Sequence, residues 1–226
     1  MKNKYLKFWD ILIITIIMFA PAIISSITLF FSTPPEDVSK NLEFSSADNI
    51  RAIITQSIQL FIAFLYLWKR KFDFSQWKYK FSLKATLWAV GLFILVSILM
   101  DIVTILSVGW QWIPSFIQTN STLQTLSQVN ILLIIFSLLN GFYEEIYFLG
   151  ICTMVPPKYQ PHSFIFSLFI RFIFHTYQGL ISAFGICIIL GCIYFYFYKK
   201  KSSNLYIYTV SHSIADTFGL SFIHFL

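Results

Sequence analysis

Two adjacent glutamates, two histidines and an aspartate stand in apolar surroundings in the second half of the chain. They are Glu144, Glu145, His175, His212 and Asp216. A buried glutamate can take a proton from water, and an imidazole can share that proton or pass it to a leaving amine. A second imidazole with a hydrogen-bonding neighbour can stabilise the oxyanion that develops. These residue types suffice for amide hydrolysis without a nucleophilic serine or cysteine.

The spacing of these residues predicts how helices would present them. His212 and Asp216 are four residues apart, as are Arg171 and His175, so each pair lies on one face of a helix. We therefore expect both imidazoles to point into one cavity.

The two glutamates are sequence neighbours, about 100° apart around a helix. We expect them to face different points, with one free to act as a base. The other would orient the first or balance its charge, because two ionised carboxylates this close repel each other in a low dielectric.

The composition excludes a water-soluble fold. The chain has 226 residues, of which 57% are hydrophobic and 12% charged, whereas about a quarter of a soluble domain is charged. At about 20 residues per membrane-spanning helix, the apolar segments fill nearly the whole sequence and predict an all-α polytopic membrane bundle of about seven transmembrane helices. The predicted segments are 11–31, 51–68, 85–107, 128–154, 163–178, 180–198 and 205–226.

The basic residues indicate membrane orientation rather than a nucleic-acid partner. There are 16 Lys and Arg against 10 Asp and Glu. Most of them lie before the first predicted helix and in the second, fourth and sixth connections, whereas the intervening connections hold only Lys40 and Arg51. This alternation predicts a multi-pass protein of the cell membrane with a cytoplasmic N-terminus and the lipid bilayer as its environment.

The charged residues within the apolar segments carry the functional prediction. An ionised side chain at mid-membrane costs about 2.5–3.5 kcal/mol, so several of them must be arranged around one another or around water. Glu144, His175 and His212 come from three predicted helices at overlapping depths, which predicts a shared hydrated chamber. Asp101, on the third predicted helix, is not included among the catalytic candidates. Two roles are considered for it, as a partner for Arg171 or as a residue that lines a water path.

Three stretches resemble, in order, the motifs EExxxR, FxxxH and HxxxN or HxxxD of the CAAX protease and bacteriocin-processing family. The family is also called CPBP or Abi, and it includes the type II CAAX prenyl endopeptidases. The stretches run from Glu144 to Leu149, from Arg171 to His175 and from His212 to Asp216. The resemblance covers residues 128–226, which we expect to form the catalytic helical core after scaffold helices in residues 1–127, in one continuous membrane domain.

The resemblance implies an intramembrane endopeptidase that cuts a peptide or a membrane-associated protein. It implies Glu144 as the water-activating residue, His175 assisting it, His212 with Asp216 stabilising the oxyanion, and Glu145 orienting the motif. The bacterial plasma membrane is the implied location, and bacteriocin processing or self-immunity is the implied biology.

Two positions depart from the family pattern. Leu149 replaces the arginine of EExxxR, and Arg171 replaces the phenylalanine of FxxxH. Our hypothesis is that the guanidinium of Arg171 supplies the missing charge from the next helix. Leu149 also keeps open a non-enzymatic bacteriocin immunity protein, and intramembrane acids and histidines keep open a proton-coupled transporter.

The sequence predicts catalysis without a cofactor. The chain has no HExxH helix, the spacing typical of a zinc peptidase. Because two histidines and a glutamate can form a catalytic zinc site, the alternative is a zinc ion held by Glu144, His175 and His212.

Overall fold

Seven helices account for most of the described backbone. The computed structural model describes residues 2–34, 45–110, 113 and 129–225. The predicted boundary between scaffold and catalytic core, 127/128, therefore lies outside the described residues. The helices are α1 (Phe8–Ser32), α2 (Ser46–Lys69), α3 (Leu83–Val108), α4 (Ile131–Ile151), α5 (Gln160–Phe174), α6 (Leu180–Lys200) and α7 (Leu205–Phe218).

The all-α membrane bundle predicted from the apolar segments is confirmed. Within the described ranges the extended structure consists of two isolated bridges, outside any strand. Five helices, α1 to α4 and α6, are long and apolar enough to cross a membrane. The other two, α5 and α7, have 15 and 14 residues, and at about 1.5 Å per residue they are shorter than a hydrocarbon core of about 30 Å.

Local sequence signals explain where several helices begin and turn. The side chain of Asn130 accepts a hydrogen bond from Leu133 N at the start of α4, and Ser82 caps α3 in the same way. Between α5 and α6, Gly179 has a φ of 87°, a conformation that favours glycine.

The connection between α2 and α3 ties one end of the bundle together. It forms hydrogen bonds with three parts of the chain, namely the segment before α1, the end of α4 and the start of α7. The segment before α1 also forms a hydrogen bond with the connection between α4 and α5. The four basic regions of the sequence therefore lie at the same end, as the positive-inside pattern requires. The bonds are Asn3 N to Lys71 O (2.7 Å), Trp77 Nε1 to Gly150 O (2.7 Å), Leu205 N to Lys78 O (2.8 Å) and Leu6 N to Met154 O (2.7 Å).

Helices α4 and α7 pack most closely at Gly141, one turn before the paired glutamates. A Cβ atom at this position would lie 2.6 Å from Ser213 Oγ and 2.7 Å from the carbonyl oxygen of Thr209. Only a residue without a side chain allows this approach, which brings the two functional helices into contact.

We expect Gly141→Ala to lower the free energy of unfolding by about 1–3 kcal/mol, because the added methyl group must push α7 away. Gly91→Ala is the matched control, since a Cβ at Gly91 has no atom within 4 Å and alanine is the better helix former. Unfolding in detergent micelles measures both. Equal stability of the two variants would contradict the close approach at Gly141.

Candidate active site

The paired glutamates lie where α4 changes its winding. Glu144 and Glu145 are the last residues of the regular α-helix, and residues Ile146–Ile151 continue it as a π-helix. Such wide turns are frequent at functional sites. The exposed fractions of the two glutamates are 3% and 0%, so their carboxylates depend on protein partners.

Glu145 is bound on one oxygen by two donors from two other helices. Arg171 Nη2 on α5 donates to Glu145 Oε1 over 2.9 Å, and His212 Nδ1 on α7 lies 2.7 Å from the same oxygen. Because a carboxylate oxygen only accepts, Nδ1 carries the proton when the ring is neutral. Glu145 thus fixes the orientation of the His212 ring and leaves Nε2 directed elsewhere.

Both glutamates face His212, so the prediction that they face different points is wrong. Glu144 Oε2 lies 3.6 Å from His212 Nε2, while Glu145 contacts the other nitrogen. The two ring nitrogens lie on different edges of the imidazole, which allows neighbouring side chains on one helix to reach the same ring.

Glu144 has one bonded oxygen and one unbonded oxygen. Oε1 accepts a hydrogen bond of 3.1 Å from Asn140 Nδ2. Oε2 is buried and has no hydrogen-bond partner among the described residues. At 3.6 Å from His212 Nε2 this atom is too far for a direct hydrogen bond, so it is the acceptor that a water molecule could use.

Asp216 completes the group on the more accessible side. Its Oδ1 lies 3.6 Å from His212 Nε2, and its Oδ2 accepts a hydrogen bond of 2.8 Å from Asn140. The side chain of Asp216 is 21% exposed, against 5% for His212 and 4% for Glu144. Entry to the group is therefore easiest past Asp216.

His175 is not in direct contact with this group. It lies at the C-terminal end of α5, where its Nδ1 is 2.7 Å from the carbonyl oxygen of Arg171. Within the described part of the chain it forms no hydrogen bond or ion pair with Glu144 or Glu145. The expectation that both imidazoles point into one cavity is confirmed for contact with the glutamates at His212, and for His175 it stays a prediction.

Asp101 does not partner Arg171, contrary to one of the two roles considered for it. Its Oδ2 accepts hydrogen bonds from the backbone nitrogens of Phe222 (2.8 Å) and Ile223 (3.1 Å). Asp101 therefore holds the segment after α7 against α3.

Arg171 lies where the motif arginine would be needed. It is 1% exposed and donates to Glu145, and its guanidinium carbon lies 3.9 Å from the centre of the Phe148 ring. Leu149 and Arg171 line the same small cavity. The structure thus places the guanidinium against the carboxylate pair from α5, as our hypothesis requires.

Three possible metal ligands have donor atoms within 4.8 Å of one another in the described part of the chain, namely Glu144, Glu145 and His212. This set differs from the predicted alternative, which contained His175 in place of Glu145. Oε1 of Glu145 already accepts hydrogen bonds from Arg171 and His212, whereas its Oε2 is buried without a hydrogen-bond partner among the described residues. A guanidinium cation bound to one of the ligands opposes a second cation there.

Sequence reasoning missed two polar residues of the site. Asn140 lies four residues before Glu144, hence on the same helix face, and Gln56 on α2 donates to Asn140 Oδ1 over 2.6 Å. The helical spacing could have identified Asn140. Gln56 is brought to the site only by the packing of α2 against α4.

Comparison with known proteins points to the same part of the chain. Residues 126–218 match the family described as Type II CAAX prenyl endopeptidase Rce1-like. The matched segment holds all three motifs and the whole of α4 to α7. No curated protein and no solved structure gave a significant match to the chain.

Proposed function

We propose that the protein hydrolyses a peptide bond with a water molecule activated by Glu144, because residues 126–218 match the family described as Type II CAAX prenyl endopeptidase Rce1-like. One observation carries the choice of Glu144. Its Oε2 is a buried carboxylate oxygen without a hydrogen-bond partner among the described residues, and it faces His212. Oε2 of Glu145 is also buried without a partner, but Arg171 and His212 Nδ1 both bind its Oε1, so Glu145 is held as the ring's anchor while Glu144 faces the free nitrogen Nε2.

In the proposed reaction, Glu144 Oε2 takes a proton from water as the water oxygen attacks the scissile carbonyl carbon. His212, held at Nδ1 by Glu145, stabilises the oxyanion by donating a hydrogen bond from Nε2 when this nitrogen is protonated, and the carboxylate of Asp216, 3.6 Å from Nε2, favours that protonated form. The proton on Glu144 then passes to the leaving nitrogen as the C–N bond breaks. The reaction consumes one water molecule for each peptide bond that it cleaves.

We propose that His175 assists Glu144 in proton transfer. Its Nδ1 bond to the Arg171 carbonyl orients the ring and directs Nε2 away from that carbonyl. In a neutral ring with the proton on Nδ1, Nε2 is an acceptor. It would assist proton transfer when substrate brings a water or the leaving amine within its reach.

The proposed substrate is a peptide or a membrane-associated protein that reaches the site from the bilayer. The four basic regions at one end support a cytoplasmic N-terminus, and the bacterial plasma membrane that the motifs imply stays a prediction. Bacteriocin processing or self-immunity, the biology that the motifs suggest, stays a prediction.

We propose catalysis without a metal. The donor atoms of Glu144, Glu145 and His212 are close enough to hold an ion. The guanidinium of Arg171, bound to Glu145 Oε1, opposes a second cation beside that carboxylate, and this charge supports the metal-free proposal.

Purified protein in detergent or vesicles, mixed with a set of hydrophobic peptides, tests the proposal. We expect mass spectrometry to show pairs of products whose masses add up to that of the substrate plus one water, and we expect cleavage to continue in the presence of a chelator. Peptide binding without cleavage would favour an immunity protein instead. Proton flux into vesicles without cleavage would favour a transporter, and loss of cleavage on chelation, restored by zinc, would overturn the metal-free mechanism.

A further inference from the structure

Asn140 joins two carboxylates of the candidate site to a helix outside the matched segment. Its Nδ2 donates to Glu144 Oε1 (3.1 Å) and to Asp216 Oδ2 (2.8 Å), while its Oδ1 accepts from Gln56 Nε2 (2.6 Å). A single amide therefore connects α2, α4 and α7. Gln56 lies in the N-terminal region for which the family match gives no functional residue.

The direction of this hydrogen-bond chain is set by the carboxylates. Ionised carboxylates only accept, so the nitrogen of Asn140 must face them and its oxygen must face α2. Gln56 must then present its nitrogen to Asn140. Its own oxygen is buried without a hydrogen-bond partner among the described residues, which shows that this orientation of Gln56 has a cost.

We propose that Asn140 is a positioning residue that fixes the Glu144 carboxylate so that Oε2 faces His212, with Gln56 holding Asn140 in place. The proposal rests on the proposed function of Glu144 as the base. A carboxylate can rotate about its last bond and exchange its oxygens. The hydrogen bond from Asn140 to Oε1 opposes that rotation. The second hydrogen bond, to Asp216, holds α7 in place along α4.

A positioning role predicts an effect on catalytic rate rather than on substrate binding. We expect Asn140→Ala to lower kcat by about 10²-fold with KM nearly unchanged, because small misplacements of a reacting group have effects of this size. Gln56→Ala should lower kcat in the same direction and by less.

Gln59→Ala is the matched control. Gln59 also joins α2 to α4, since it accepts a hydrogen bond of 2.9 Å from the hydroxyl of Tyr143, but this contact does not lead to a carboxylate. We expect Gln59→Ala to lower Tm about as much as Gln56→Ala does, while kcat per folded molecule stays at the wild-type value.

An exchange of side chains separates positioning from stability. In Asn140→Asp/Asp216→Asn the amide and the carboxylate trade places, so the bond between α4 and α7 can form again but Glu144 has no donor. We expect Tm to recover relative to Asn140→Asp alone, while kcat stays at least about tenfold below that of Asp216→Asn.

Three results would overturn the inference. They are recovery of kcat together with Tm in the exchanged protein, an Asn140→Ala protein with wild-type kcat, and an equal loss of kcat in Gln59→Ala. If wild type and Gln59→Ala both fold but cleave none of the peptides, the proposed function itself fails, and the positioning role fails with it.

Discussion

Glu144→Gln protein is expected to fold normally and to lose at least about 10²-fold in kcat, the lower range of what a general base contributes. Glutamine has nearly the same shape, and its oxygen can still accept the hydrogen bond from Asn140. Its nitrogen would stand where Oε2 stands, facing His212, and an amide nitrogen cannot take a proton from water. Because the change also removes a buried carboxylate, we expect no loss of Tm.

The matched control for Glu144→Gln is Asp101→Asn. It also converts a buried carboxylate to an amide, but at a site where the carboxylate accepts backbone hydrogen bonds from Phe222 and Ile223. We expect Asp101→Asn to lower Tm and to leave kcat per folded molecule unchanged. Product formation followed by chromatography, with Tm measured on the same samples, compares the two. A Glu144→Gln protein that cleaves at the wild-type rate would remove Glu144 from the mechanism.

The residues of the three motifs could be identified from the sequence because charge is rare in a bilayer. Glu144 and Glu145 interrupt an otherwise apolar segment, and an acid at such a depth must have a partner. The same reasoning predicted a cation for them, and Arg171 was the basic residue inside a later apolar segment. The structure brings the guanidinium to Glu145.

The directions in which the side chains point could not be predicted in the same way. Helical spacing gives the angle between neighbouring side chains at their Cα atoms, but Glu144 and Glu145 are long enough to meet on opposite edges of the His212 ring. Contacts of this kind depend on how several helices pack.

Uncharged polar residues gave weaker signals than charged ones. Asn140 and Gln56 cost less to bury than an ion, so nothing in the sequence required them to meet. Their partnership depends on the packing of α2 against α4. The all-α bundle, by contrast, follows from the apolar segments alone, although five of the seven helices in the described residues, and not all seven as predicted, are long enough to cross a membrane.

Removing the guanidinium of Arg171 is expected to have the largest effect on stability. In Arg171→Phe, which restores the family residue at this position, Glu145 would keep its charge in a fully buried place with only His212 as donor. Breaking a buried ion pair on one side costs about 3–5 kcal/mol. We therefore expect a large fall in Tm and, because Glu145 orients His212, a loss of cleavage in the fraction that folds.

The double variant Leu149→Arg/Arg171→Phe tests whether Arg171 replaces the motif arginine. Residue 149 lies four positions after Glu145 on α4 and lines the same cavity as Arg171, so an arginine there can reach Glu145 from its own helix. Leu149→Arg alone should also be destabilised, because two guanidinium groups would then share one buried carboxylate.

We expect each single change to lower Tm and the double variant to restore both Tm and cleavage. Such a result would correspond to a coupling energy beyond the usual 0.5–3 kcal/mol for contacting residues. Thermal unfolding of the four proteins, wild type, two single variants and the double variant, measures that coupling. If the effects of the single changes simply add, the charge of Arg171 does not substitute for the missing motif arginine, and Leu149 must be explained by a different use of the site.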